Sequence, residues 1–262
     1  MDLTSPFVSG ILGSLAAGLA TGVGALPIFV RNQWSVPAQR MMLAAAGGMM
    51  LGATFFSLVQ PALDHVVARG GSPLRAVVTV AVGLVVGAVA LWAVHGALPH
   101  EHLGKGREGG EGRGLPRHTL VVLAIALHNI PEGLSVGVAF GDGGAAGATG
   151  PAVMLGIGAQ NMPEGLAVAA ALVADGSTRW RAFLVATLTG LVEPVGGLVG
   201  ALAVGLGEAV LPWALAFAAG AMLFVVSGEV IPETHTGGRE RSATFAVIGG
   251  FVAMMAVAVL LG

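Results

Sequence analysis

Long stretches without a charged side chain alternate along this chain with short polar breaks. Residues 3–30, 41–63, 76–100, 143–163, 209–228 and 242–262 each run for 20 residues or more without Asp, Glu, Lys or Arg. A helix of about 20 apolar residues crosses a hydrocarbon layer about 30 Å thick. Three further segments are as long but hold one carboxylate each: 118–141 with Glu132, 150–174 with Glu164 and 182–206 with Glu193. The pattern predicts eight transmembrane helices, near 7–30, 41–66, 74–98, 118–141, 150–174, 182–206, 209–228 and 243–261. These runs are apolar on every face, whereas the strands of a membrane barrel alternate over about 10 residues. The expected fold class is therefore all-α, a polytopic membrane protein in which residues 1–262 form a single transmembrane domain.

Composition sharpens this. Apolar residues make up 55% of the chain and charged residues 10%, against about 25% charged in a soluble domain; the mean hydropathy is +0.86. A disordered chain and a nucleic-acid binder with a basic face are excluded. There is no cysteine, so disulfides and thiolate metal sites are excluded too, and any metal has to be held by N and O ligands. The first 30 residues carry Asp2 and no Lys or Arg. A secretory signal opens on basic residues, so this segment reads as a first span.

The basic residues orient the bundle. Ten of the 12 fall in the odd-numbered connections: Arg31 and Arg40; Lys105, Arg107, Arg113 and Arg117; Arg179 and Arg181; Arg239 and Arg241. Only Arg69 and Arg75 lie elsewhere. Basic loops stay cytoplasmic, so both termini are expected outside. So lean a chain points to a multi-pass protein of a bacterial inner (plasma) membrane. The segment 99–117, PHEHLGKGREGGEGRGLPR, reads as a cytoplasmic loop and not as a second domain. Glycine supplies 43 residues, and small residues let membrane helices approach closely where no hydrophobic effect draws them together.

The chemistry sits in a duplicated motif. Residues 128–133 read HNIPEG and residues 160–165 read QNMPEG, 32 residues apart on consecutive and therefore antiparallel spans. Such a pair implies a pseudo-two-fold axis in the membrane plane, and inverted repeats of this kind place transport sites near the bilayer midplane. His128 and Glu132, like Gln160 and Glu164, are i,i+4 neighbours on one helix face. Asn129 and Asn161 lie one step round. Pro131 and Pro163 cannot donate to Leu127 and Ala159, which frees carbonyls at the same depth. A bare carboxylate at the membrane centre costs about 3 kcal/mol on insertion scales. Glu132, Glu164 and Glu193 have no Lys or Arg within these helix centres, so their counter-charge is protons, a bound cation, or both. Carboxylate, imidazole and amide oxygen without thiol suit a divalent ion such as Zn²⁺. The bland alternative, polar glue between helices, accounts poorly for seven polar residues at matched spacing.

These motifs, with EPVGG at 193–197 and GEVIPETH at 228–235, resemble the ZIP family of divalent metal (zinc) transporters. The match is to its GufA-like branch, in which the second motif begins with Gln instead of His. The resemblance covers nearly the whole chain. It implies eight spans in a 3+2+3 inverted-repeat bundle and movement of zinc into the cytoplasm through a binuclear metal site at the midplane between helices 4, 5 and 6. Cadmium, iron and manganese are further candidate ions. Position by position, it implies a primary metal site of His128, Glu132, Gln160, Glu164 and Glu193. The second would be formed by Asn129, Glu132, Asn161, Glu164 and Glu193. Some relatives have Asp where this chain has Asn161, so the second site lacks a formal charge and unequal occupancy is expected.

Outlying residues extend the path. Met50, Ser57 and Asp64 follow one another at seven-residue steps and, by resemblance, form an entrance pathway; Met41, Met42 and Met49 read as packing. His95, Glu229, Glu233 and His235 are exit-pathway candidates, with Gly228 standing where some relatives carry His. His100, Glu101 and His102 could capture metal in the cytoplasmic loop. His65 and His118 sit at helix ends and carry no assigned role. The competing class is an intramembrane metalloenzyme, for instance a di-iron carboxylate oxidase. Its Glu-x-x-His and His-Glu-x-x-His signatures are absent here, so the chain reads as no enzyme. A passive metal channel would use the same residues as a carrier. The expected partners are a divalent ion as substrate and the lipid bilayer, with a homodimer compatible with the sequence.

Overall fold

A computed structural model describes residues 5–31, 34–102, 106–108, 117–141, 149–236 and 238–261. Helix 1 spans Pro6–Ala25 and ends in a 3₁₀ turn, Leu26–Phe29. Helix 2 spans Val36–Ala68, with a π-helical turn over Thr54–Val59. Helix 3 spans Pro73–Ala97, helix 4 Arg117–Gly141 and helix 5 Thr149–Ala174. Helix 6, Arg179–Gly205, is interrupted between Gly190 and Glu193. Helix 7 spans Leu211–Thr234, with a second π-helical turn over Val226–Val230, and helix 8 spans Glu240–Leu261. Among the described residues, seven of these are long and apolar enough to cross a membrane. Helix 5 is diluted by its polar motif, but its 26 residues span about 39 Å at 1.5 Å per residue.

Local chemistry sets the helix ends. Ser5, Ser35, Ser72 and Thr178 each accept a backbone N–H in the first turn, and the first three are followed by proline at N1 or N2, the favoured way to start a helix. Two ends differ from the sequence expectation. Helix 2 begins at Val36 rather than 41, because Arg40 is no boundary: it lies along the helix and its Nη1 donates to Thr236 O at 3.1 Å. Helix 7 runs on through Glu229 and Glu233 to Thr234 instead of ending at 228. Its π-helical turn carries Ile231 N–H back five residues to Val226 O, as Gln60 N–H reaches Phe55 O in helix 2. In both helices a proline, Pro61 or Pro232, follows directly. Within the 99–117 loop, β1, His100–His102, pairs antiparallel with β2, Gly106–Glu108, and β1 lies against helix 4.

The helices pack in recurring pairs: helix 4 on helix 6 and helix 5 on helix 1, helix 2 on helix 8 and helix 3 on helix 7. Outward faces are apolar, with Val77, Val85 and Trp92 of helix 3 and Phe245 and Val259 of helix 8 exposed, the surface a bilayer covers. The chain is an all-α polytopic membrane protein.

Glycine makes the pairing close. Gly18 and Gly190 each face the other's carbonyl, so that a Cβ on either would fall on it. Gly165 faces Thr21 O as Gly133 faces Glu193 O, and Gly24 faces Met162 O as Gly196 faces Ile130 O. Further out, Gly48 and Gly250 face Val247 O and Ala45 O, while Gly220 and Gly87 face Leu84 O and Phe217 O. Each of these contacts thus has a partner in which helix 1 is replaced by 6, 4 by 5, 2 by 7 and 3 by 8. These seams make a stability prediction. Gly48→Ala should cost about 1–3 kcal/mol through overpacking. Gly249→Ala, which has no heavy atom within 4 Å of the added carbon, should be neutral or stabilising through helix propensity. Thermal unfolding in detergent checks this; equal shifts for the two variants would contradict it.

Candidate metal centre

Helices 4, 5 and 6 bring their polar residues together because glycine follows each motif glutamate and lets the backbones touch. Gly133 rests on the carbonyl of Glu193, and Gly196 of helix 6 rests on Ile130 O. Glu193 is the first residue after the break in helix 6, where a helix N-terminus favours negative charge. Ser135 braces helix 4 below its proline, donating to Pro131 O at 2.7 Å and lying 2.9 Å from Met222 Sδ of helix 7.

The resulting cluster is buried and half satisfied. Glu132, Gln160, Asn161 and Glu193 are 0% exposed, Asn129 1% and Glu164 7%. Gln160 Nε2 donates to Glu132 Oε1 at 2.9 Å, across the helix 4–5 interface. Asn161 Nδ2 donates to Glu193 Oε1 at 2.6 Å and to Ala17 O of helix 1 at 2.8 Å. The other oxygens, Glu132 Oε2, Glu193 Oε2, Gln160 Oε1 and Asn161 Oδ1, have no hydrogen-bond partner, and neither side-chain atom of Asn129 has one. Glu132, Glu164 and Glu193 lie close enough to repel one another. Among the described residues, no Lys or Arg pairs with any of the three. Buried acceptors that face each other without donors are costly, and a cation relieves that cost.

His128 departs from the expected arrangement. Its i,i+4 relation to Glu132 suggested that both serve one ion, yet the imidazole turns toward helix 7, with Nε2 2.5 Å from Glu229 Oε2. His95 of helix 3 meets the same carboxylate, Nδ1 to Oε1 at 2.6 Å, and the two imidazoles stack at 6.1 Å between centroids. Among the described residues, His95, His128 and Glu229 are the one set of three acidic or imidazole side chains whose ligand atoms lie within 4.8 Å of one another. Glu164 and Glu233 add their charge near His128. So Glu229, placed after the seventh span by sequence, stands inside helix 7 and against His128. The uncharged run stops at residue 228, so a span bounded by charge ends one residue short of it.

The remaining candidates scatter. Met50 and Ser57 are buried in helix 2, Ser57 within the π-helical turn, while Asp64 is exposed near the helix end. Both ring nitrogens of His235 are engaged, by Ile231 O and Thr234 Oγ1 on one side and Thr244 Oγ1 on the other, which ties helix 7 to helix 8. The side chains of His100, Glu101, His102 and His118 lie outside the described residues. Two participants had no signal in the motifs: the carbonyl of Ala17, and Thr21, whose hydroxyl is buried without a partner.

Residues 93–258 match the family model described as ZIP Zinc transporter. The chain is 48% identical to Zinc transporter GufA of Myxococcus xanthus, over 97% of this chain and 99% of that protein. It is 43% identical to Zinc transporter ZIPB of Bordetella bronchiseptica, over 96% and 81% respectively. To Zinc transporter ZIP11 of Homo sapiens it is 33% identical, over 98% of each. A polar cluster at the crossing of helices 4, 5 and 6 and a match of this extent lead to one assignment: the chain belongs to the ZIP zinc transporter family.

Proposed function

We propose that this protein carries zinc into the cytoplasm through a binuclear site of His128, Asn129, Glu132, Gln160, Asn161, Glu164 and Glu193. Members of the family are transporters and not enzymes, and zinc transport is what the relatives' names record. The observation that carries the binuclear reading is the set of three buried carboxylates without a basic partner, two of which keep one oxygen unbonded. Two divalent ions sharing Glu132, Glu164 and Glu193 would neutralise this charge. The His95–His128–Glu229 cluster supports an exit toward helices 3 and 7, with His128 common to both places. The paired glycine contacts support a 3+2+3 inverted repeat. The basic odd-numbered connections support a plasma-membrane orientation with both termini outside. Harder ions such as Mn²⁺ and softer ones such as Cd²⁺ find donors in the same set.

Four outcomes follow in proteoliposomes and in solution. The double variant Glu132→Ala, Glu164→Ala should reduce zinc uptake to that of empty vesicles; unchanged uptake would remove the proposed path. Glu132→Ala alone should weaken both bound ions, read as loss of both equivalents in a calorimetric titration, because its oxygens serve each. Glu229→Ala should lower uptake by about 10–100-fold, the usual cost of losing a group that orients a metal-binding imidazole. Ligands bind metal only after losing their protons, so zinc affinity should fall steadily from pH 8 to pH 5. A flat profile would show that protons and metal do not compete for these groups.

A further inference from the structure

One buried hydroxyl oxygen among the described residues has no hydrogen-bond partner, and it belongs to Thr21 of helix 1. Other helical hydroxyls turn back to a carbonyl three or four residues earlier, as Thr54 does to Met50 O and Thr187 to Phe183 O. For Thr21 the matching acceptor is Ala17 O, which Asn161 Nδ2 occupies. The hydroxyl instead points across to helix 6, where a Cβ at Gly190 would lie 2.6 Å from it.

The glycine contacts say what stands opposite. They relate helix 5 to helix 4 and helix 6 to helix 1 residue by residue: Gly165 lies on Thr21 O as Gly133 lies on Glu193 O, about the mutual contact of Gly18 with Gly190. Thr21 therefore holds on helix 1 the position that Glu193 holds on helix 6, and Asn129 holds on helix 4 the position of Asn161 on helix 5. Asn161 bonds Glu193 at 2.6 Å. Its counterpart bond, Asn129 to Thr21, is not made, since a threonine hydroxyl is two bonds shorter than a glutamate carboxylate. Three polar atoms are left buried there without partners, Asn129 Nδ2, Asn129 Oδ1 and Thr21 Oγ1, in residues that are each 1% exposed. Native structures leave few such groups unpaired, and each that remains calls for an explanation, a bound ion among them.

We propose that Thr21 is a further metal ligand, its hydroxyl joining Asn129 Oδ1 at the second metal position, where Asn161 and Glu193 also lie against helix 1. This rests on the binuclear reading above. Beside the shared carboxylates this position has only neutral oxygens and no imidazole, so the ion there is held more weakly and by a harder donor set than one bound with His128.

The test is calorimetric titration of the purified full-length protein with Zn²⁺ alone, comparing wild type, Thr21→Val and Thr21→Ser. Valine matches threonine in shape; Thr21→Ala is read the same way if Thr21→Val fails to fold. We expect two unequal equivalents in the wild type. Thr21→Val should weaken the second by about tenfold, with the first unchanged, and Thr21→Ser should restore it, a pattern that a packing role would not produce. If Thr21→Val and Thr21→Ala both titrate as wild type, Thr21 is structural and the proposal falls. A wild type that binds no zinc overturns the binuclear reading itself, an outcome distinct from the first.

Discussion

Three carboxylates held in a membrane-spanning bundle, with no Lys or Arg paired to any of them among the described residues, are the constraint on which the rest of this structure depends. Each costs about 3 kcal/mol to place at such depth on insertion scales, and the protein answers only in part. Gln160 and Asn161 each give one N–H to a glutamate and leave the second oxygen of that glutamate bare. Amides suit this task because they donate to a carboxylate while offering their own oxygen to a cation. A lysine or arginine would have neutralised the charge permanently and displaced the ion.

The scaffold around these groups is nearly two-fold, and its ligands are not. Matched glycine contacts bind helix 1 to helix 5 as helix 6 to helix 4. His128 nevertheless stands opposite Gln160, Glu193 opposite Thr21, and Glu229 opposite Ser57, the last two inside corresponding π-helical turns. Such turns recur at functional sites because the extra residue re-aims side chains. Helices 4, 6 and 7 thus carry imidazole and carboxylate where helices 5, 1 and 2 carry amide and hydroxyl. The backbone is duplicated and the chemistry is polarised.

Much of this was legible in the sequence. The number of spans followed from uncharged runs, and the central residues from two hexapeptides at one spacing. What was not legible depended on distance in space. Helical periodicity pairs His128 with Glu132, but the ring goes to Glu229, 101 residues away, because helix 7 packs on helix 4. Likewise Gln160 reaches Glu132 across the interface instead of Glu164 on its own face. Charge served well for finding helices and poorly for ending them: Arg40 runs along helix 2 and hydrogen-bonds the chain beyond helix 7, and Glu229 is 4% exposed inside helix 7. Thr21 carries no motif at all and became visible only through its place in the repeat.

The seams between helices are of two kinds. Carbonyl-on-glycine seams join helices 1, 4, 5 and 6 into one body, helices 2 and 8 into a second, and helices 3 and 7 into a third. Where glycines face across those bodies they meet side chains, Gly47 the methyl groups of Val230 and Gly156 the thioether of Met254. Interlocked backbone cannot slip without prising helices apart, whereas valine and methionine adjust in place, as sliding helix packings require. A shear in this bundle would meet least resistance at the second kind of seam, and the carboxylates of helices 4, 5 and 6 would then keep their places relative to one another. The contact of His128 with Glu229 crosses that boundary.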